Sequence, residues 1–225
     1  PARAKTPRRI EPPPARTIST AEVLGTERLE RMRLINGISG MKSANLVGTV
    51  GQSGHTNLAL FNSVVHIGAN PPYLGMIFRP LTVRRDTYNN IKATGVYTIN
   101  HVHAGIRERA HQTSANFPAG VSEFEACGLT AETTPTLQAP YVAESRIKIG
   151  LAYEEEHEIR ANGTILLVGR VLEIRLPAEV LGEDGYVDLA AAGSLALTGL
   201  EGYHEVGPPV RLPYARPPAS SDPTT

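Results

Sequence analysis

The dipeptide Asn162-Gly163 separates two runs rich in apolar and β-branched residues, Leu151–Ile159 and Thr164–Ile174. Asn-Gly is the pair favoured by a two-residue hairpin turn, because both central residues need positive φ. Strands joined this tightly must be antiparallel neighbours, since a parallel pair needs a crossover of a dozen residues or more. Further strand-like runs occupy Asn45–Val50, Asn57–Ile67, Tyr73–Phe78, Val96–Asn100 and Tyr141–Ile149, set apart by Gly, Pro and Asn. Gly51-Gln52-Ser53-Gly54 predicts a hairpin between the first two. Helical signals are short. Thr20–Leu34 carries Leu24, Leu29, Met32 and Leu34 amid Glu and Arg, with Ser19 or Thr20 as N-cap. Asp86 is expected to cap a helix that begins at Thr87 and stops at Gly95, and a third helical stretch covers about 106–115. Many strands with few short helices predict a mainly β fold, an antiparallel barrel with helices packed outside.

Proline sets the limits of that body. Eleven of the 18 prolines lie in the first 14 or the last 18 residues. The expected organisation is a flexible Pro/Arg-rich arm over 1–17, one domain over 18–215 and a flexible tail over 216–225. The arm carries Arg3, Lys5, Arg8, Arg9 and Arg16 with no apolar stretch behind them, which is unlike a secretory leader. The single Cys127 reads as buried packing and cannot form an internal disulfide; with no apolar run of membrane-spanning length, a cytoplasmic protein is expected.

The balance of 22 basic and 22 acidic residues hides a strong asymmetry. Residues 31–107 hold eight basic groups and one acid, Asp86, for +7, whereas 108–225 hold eight basic and 17 acidic groups, for −9. An anionic ligand is therefore sought in the first of these segments. There Arg79, Arg84 and Arg85 approach the start of the Thr87 helix, and two readings fit that spacing. One is a phosphate site built from a helix N-terminus, a hydroxyl and guanidinium groups; the other is a capped helix with solvated arginines.

Other motifs are weaker. No Gly-x-Gly-x-x-Gly follows a strand, and Gly37–Ser43 misses the P-loop spacing because Met41 separates Gly40 from Lys42. His101-Val102-His103 places two imidazoles on one strand face, which could ligate a metal or be a solvated strand end; no metal site is expected. Glu154-Glu155-Glu156-His157-Glu158 reads first as the exposed side of a strand.

Three passages in order carry a resemblance: Asn57-Leu58-Ala59 with Asn62-Ser63, then Asn70-Pro71-Pro72 before an apolar strand, then Asp86-Thr87-Tyr88-Asn89-Asn90-Ile91. With Phe124–Leu129, Ala139-Pro140 and Leu167–Val171, the chain from about Leu34 to Pro217 resembles the flavin reductase-like family. That resemblance implies an FMN-binding split barrel, usually a homodimer. It implies that Asn57, Leu58 and Ala59 lie along the flavin, with Phe61, Asn62, Ser63 and Val64 bordering its ring system. Arg79, Arg85 and Thr87 would hold the phosphate, and His111 and Ser114 would close the pocket. NADH or NADPH would be the co-substrate and a flavin-dependent oxygenase a candidate partner. No side-chain acid or base is required, because the protein mainly positions two rings. One departure stands out. Reductases of the family often carry Gly-Asp-His before a late Gly-Glu-Val strand; here Glu155-Glu156-His157 is the nearest match and the strand reads Gly169-Arg170-Val171. His157 is thus the candidate for nicotinamide binding, and FMN binding is better supported than NAD(P)H reduction. The alternatives are an FMN-binding electron carrier without NAD(P)H activity and, from another class, a small-barrel nucleic-acid binder using Tyr73, Phe78, Tyr88 and Tyr97.

Overall fold

The computed structural model describes residues 14–118 and 120–216. Two helices come first, α1 (Thr20–Gly25) and α2 (Arg28–Ile38), followed by β1 (Lys42–Ser43), β2 (Asn45–Val50), β3 (Thr56–Phe61), β4 (Val64–Ala69) and β5 (Pro72–Phe78). Then α3 (Asp86–Thr94), β6 (Val96–His101), α4 (Arg107–Gln112), α5 (Glu123–Ala126), β7 (Ala131–Glu132) and β8 (Tyr141–Val142) lead to the long pair β9 (Lys148–Ile159) and β10 (Thr164–Arg175). β11 (Leu195–Thr198) and β12 (Gly202–Glu205) complete the order.

Seven strands form one antiparallel sheet in the order β3-β2-β6-β9-β10-β5-β4. β3 and β4 are its two edges, yet only Asn62 and Ser63 separate them in sequence. A two-residue link spans no more than about 10 Å. The sheet must therefore curl until its edges meet, giving a barrel that is not closed by a β3–β4 ladder. This corrects the expectation of one strand over Asn57–Ile67. Ser63 Oγ donates to the Ile77 carbonyl at 2.9 Å and Asn62 Nδ2 to the Gly199 carbonyl at 2.7 Å, so these two side chains hold the chain in its crossing.

Both hairpins form, although Asn162-Gly163 lies in a four-residue turn over 160–163 in which Gly163 alone has positive φ, not in the expected two-residue turn. β2 and β3 pair from Asn45↔Phe61 to Val50↔Thr56, with Gly54 at φ +82° in the turn, and β9 and β10 pair around Gly163 at φ +70°. The break expected near Gly150 is absent; β9 runs through it, and Tyr141–Ile149 is instead split into β8 and the start of β9. Gly150 is required there for another reason. A Cβ on it would lie 2.3 Å from Tyr141 Oη, so glycine lets the tyrosine cross the strand and donate to Glu173 at 2.6 Å.

Cores on both faces explain why β2 is buried along its whole length. Leu46 packs with Val102, Ile106, Phe124 and Leu197 beneath the helices, while Val47, one residue on and on the opposite face, packs inside the barrel with Met76, Ile99, Leu151 and Leu167. Cys127 is 8% exposed in the first of these clusters, as expected of a packing residue.

The first helical stretch reaches Ile38, beyond the predicted Leu34, but not as one helix. Thr20–Leu34 is two helices broken at Thr26, whose backbone is extended; the first opens on a Ser19 capping box with Glu22. Neither buries a residue. The 106–115 stretch forms a 3₁₀ turn, Ala104–Ile106, followed by α4. α3 ends at Gly95 with φ +75°, as its sequence predicts. Of the expected arms, 14–17 have no regular structure and residues 1–13 and 217–225 lie outside those described. Among the described residues no helix is long and apolar enough to cross a membrane.

Candidate functional site

The split opens on a cleft of about 670 Å3. Its long wall is β3. Asn57, Ala59 and Phe61, spaced by two, face the cleft, while the intervening Leu58 is fully buried in the core on the other side. Asn62 and Ser63 continue the wall, so five of the seven residues expected on this strand and its link line the cleft. Leu58 does not, because the strand period turns it inward. Val64 does not either; it opens β4 and packs on the barrel-core cluster around Met76 and Phe78.

The second wall is the β5–α3 loop and the first turn of α3. Arg79, Arg85 and Thr87 all line the cleft, as expected, together with Arg84 and Asp86. Asp86 is not the cap. The N-cap position is Arg85, and Asp86 is the first helical residue, its carboxylate accepting from Arg84 Nε at 2.5 Å. The acid keeps its favourable place near the positive end of the helix while neutralising one arginine of the three. Arg79 and Arg85 make no ion pair among the described residues. Arg85 Nε is buried and has no hydrogen-bond partner among the described residues. Thr87 is 6% exposed, and its Oγ1 accepts from Asn57 Nδ2 at 3.0 Å, which leaves the hydroxyl proton free to point elsewhere. An orphaned guanidinium N–H, a directed hydroxyl and a helix N-terminus together make a site that fits a phosphate group.

Apolar side chains also line the cleft. Phe61 rests edge to face on the buried Phe78 with centroids 5.2 Å apart, and with Ile77, Phe117, Leu197 and Leu200 it makes a surface suited to a flat ring. Leu60, Asn116 and Glu123 also line the cleft and were not anticipated. Leu60 lies on β3 with the parity that alternation turns away from the cleft, whereas Asn116 and Glu123 come from separate segments that only the fold brings together. Glu123, in the first turn of α5, accepts the Leu58 N–H at Oε2 over 2.9 Å, and burial holds its carboxyl above the ordinary carboxylate range.

The 113–117 loop forms the rim and brings Ser114 to the cleft, as expected. His111 does not reach it. Its Nδ1 lies 3.2 Å from Tyr203 Oη, edge to face with that ring, and burial pushes the Tyr203 hydroxyl up to about 12. His157 is also absent from the lining; it is exposed on β9, with Nε2 3.0 Å from Glu155 Oε1.

The remaining candidate motifs have structural roles. His101 Nδ1 meets Ser194 Oγ at 3.0 Å, and both ring nitrogens of His103 are engaged, with the Glu144 carbonyl and the Gly105 N–H. Lys42 of the P-loop-like stretch donates to the Asn36 and Gly40 carbonyls at the end of α2. Of the aromatic residues considered for base stacking, Tyr97 and Phe78 are buried and Tyr73 and Tyr88 are partly buried.

A fold and cleft of this kind have known counterparts. A family model described as flavin reductase like domain matches residues 38–192. A crystal structure from Shewanella frigidimarina, provisionally described as a flavin reductase with a split barrel domain, is 43% identical; the match covers 89% of this chain and all of that one, with a TM-score of 0.86. Two more distant structures share the fold. Nitrilotriacetate monooxygenase component B from Bacillus cereus is 20% identical with a TM-score of 0.77, covering 89% of this chain and 100% of its own. Flavoredoxin from Desulfovibrio vulgaris is 20% identical with a TM-score of 0.66, covering 78% and 92%. An uncharacterized protein from Aquifex aeolicus is 29% identical over 117 residues, 51% of this chain, and the match spans 60% of its length. With more than half its residues matched by the family model and the curled seven-stranded sheet in place, this chain belongs to the flavin reductase-like domain family and has its split-barrel fold.

Proposed function

We propose that the protein is an FMN-dependent NAD(P)H:flavin oxidoreductase that works as a homodimer and supplies reduced flavin to a partner oxygenase. The observation that carries the reading is the change of character along β3, from the directed Thr87 hydroxyl and the unpaired Arg85 near Asn57 to the aromatic Phe61 at the other end of the strand. Arg79, Arg85 and Thr87 hold the phosphate, and Asn57 fixes the direction of the Thr87 hydroxyl. Ala59 leaves room beside the strand for the chain between phosphate and ring. Phe61, Asn62 and Ser63 border the ring, and the 113–117 loop, through Ser114, limits water access. When bound, FMN supplies a ring nitrogen, N5, able to take hydride from nicotinamide C4. The chain's own contribution is to orient the ring and keep that end of the cleft dry, so no acid–base pair is needed. The family membership and the oxygenase-component relative support the assignment.

One observation favours a second reading, an FMN-binding electron carrier. His157, the residue matched to the nicotinamide-binding histidine, stands outside the cleft and pairs with Glu155. An absorbance spectrum of the purified protein comes first; bands near ~450 and ~370 nm establish bound flavin. Steady-state oxidation of NADH and of NADPH with added FMN then separates the readings. Turnover with either nucleotide supports the reductase, and a flavin-loaded protein inert to both is a carrier.

A further inference from the structure

Glu123 is an unusual group to find in this cleft. It is a half-buried carboxylate in a site whose other charged side chains are Arg79, Arg84, Arg85 and Asp86, the last already paired with Arg84. The only hydrogen bond its carboxylate makes to another residue among those described is the one accepted from the Leu58 N–H. An ionised carboxylate offers about four acceptor positions, so most of its capacity is unused while burial works against its charge. Repulsion of a bound phosphate would make it a liability unless its position serves another part of the ligand.

The strand register defines that position. Asn57 marks the phosphate end through its bond to Thr87, and Phe61 marks the ring end. These two residues are roughly 13 Å apart along β3 at about 3.3 Å per residue. Glu123 is tethered to Leu58, the residue after Asn57, and so stands just inside the phosphate end, where a ligand's connecting chain begins. An acceptor-only group there suits a chain that carries hydroxyl donors, and charge-assisted hydrogen bonds are about twice as strong as neutral ones. Resting on the flavin assignment above, we propose that Glu123 binds the hydroxyl groups of the ribityl chain and makes the cleft selective for flavins with a hydroxylated side chain. Phosphate contacts then give affinity for FMN over riboflavin, and Glu123 gives affinity for riboflavin over a bare ring.

The test titrates FMN, riboflavin and lumiflavin, which lacks the ribityl chain, into wild-type protein and the Glu123→Gln and Glu123→Met variants, following flavin fluorescence. Glutamine keeps a carbonyl oxygen for the Leu58 N–H while removing the charge; methionine keeps the volume and removes every acceptor. The expected result is FMN and riboflavin affinities at least about fivefold lower in Glu123→Gln, and lower again in Glu123→Met, with lumiflavin affinity unchanged. Unchanged lumiflavin binding also shows that the cleft is intact, and Glu123→Gln carries the test if the methionine variant does not fold. FMN and riboflavin binding as tightly as to wild type, or more tightly, overturns the proposal. So does an equal loss for all three flavins, because the carboxylate then only builds the cleft. Wild-type protein that binds none of the three refutes the flavin assignment itself, a result distinct from the other two.

Discussion

Replacing Arg85 by methionine should weaken cofactor binding and stabilise the free protein at once. The Arg85 Nε–H is buried without a partner, and an unsatisfied buried donor costs about 1–3 kcal/mol. Methionine keeps most of the aliphatic stem that packs against the loop, so the main change is removal of the stranded guanidinium. For a domain of this size about 1 kcal/mol moves Tm by roughly 2–4 °C. Flavin-free Arg85→Met protein should therefore melt a few degrees above wild type. In the complex the same guanidinium makes charge-assisted hydrogen bonds worth about 1.5–3 kcal/mol, so FMN affinity should fall about 10- to 150-fold. Riboflavin, which has no phosphate, should bind both proteins equally. Calorimetric titration with the two flavins, together with a thermal melt, reads all three quantities. FMN affinity unchanged by the substitution, or a riboflavin loss as large as the FMN loss, would refute the phosphate assignment. Arg79 is exposed and should matter less, with a loss of about threefold to tenfold for Arg79→Ala that shrinks as salt is raised.

Two further predictions concern the scaffold. The Tyr97 hydroxyl is buried without a partner, and a Cβ on Gly169 would lie 2.0 Å from it, so Tyr97→Phe should stabilise the protein by about 1 kcal/mol and Gly169→Ala should destabilise it by at least about 2 kcal/mol. Chemical denaturation of the two single variants and the double variant should show that Gly169→Ala costs less in the Tyr97→Phe background, though not nothing, since the ring carbon Cζ remains 2.8 Å from the new methyl. Burial holds His101 down to about 4, so the folded protein takes up its proton less readily than the unfolded chain. The resulting stability is complete above the unfolded value near 6.5 and is lost as pH falls through the window toward 4, by up to about 3 kcal/mol. His101→Gln should flatten that part of the pH profile, and parallel wild-type and variant curves between pH 7 and 4 would contradict it.

Strand pairing was legible where a local turn dictates it. Asn162-Gly163 and Gly51–Gly54 each set a hairpin whose neighbours follow within a few residues, and Gly95 ends its helix through the one conformation glycine adopts without cost. The resemblance carried by Asn57-Leu58-Ala59, Asn62-Ser63 and Asp86–Ile91 was enough to name the β3 and α3 walls of the cleft, because those motifs lie on short continuous segments. What no local pattern could show is that Asn57–Ile67 is two strands at opposite edges of one sheet. That break depends on the sheet curling, and curling is a property of seven strands together. Tertiary packing decides the rest of the site: it pairs His111 with Tyr203 of the separate β1-β11-β12 sheet and leaves His157 on the outer surface. It also brings Glu123, Phe117 and Leu197 from distant parts of the chain to one cleft. Residue types and short-range spacing determined which groups this protein could offer a phosphorylated ligand. Only the curled and packed sheet determined which of them meet, because contacts between distant segments arise when their shared apolar faces are buried together.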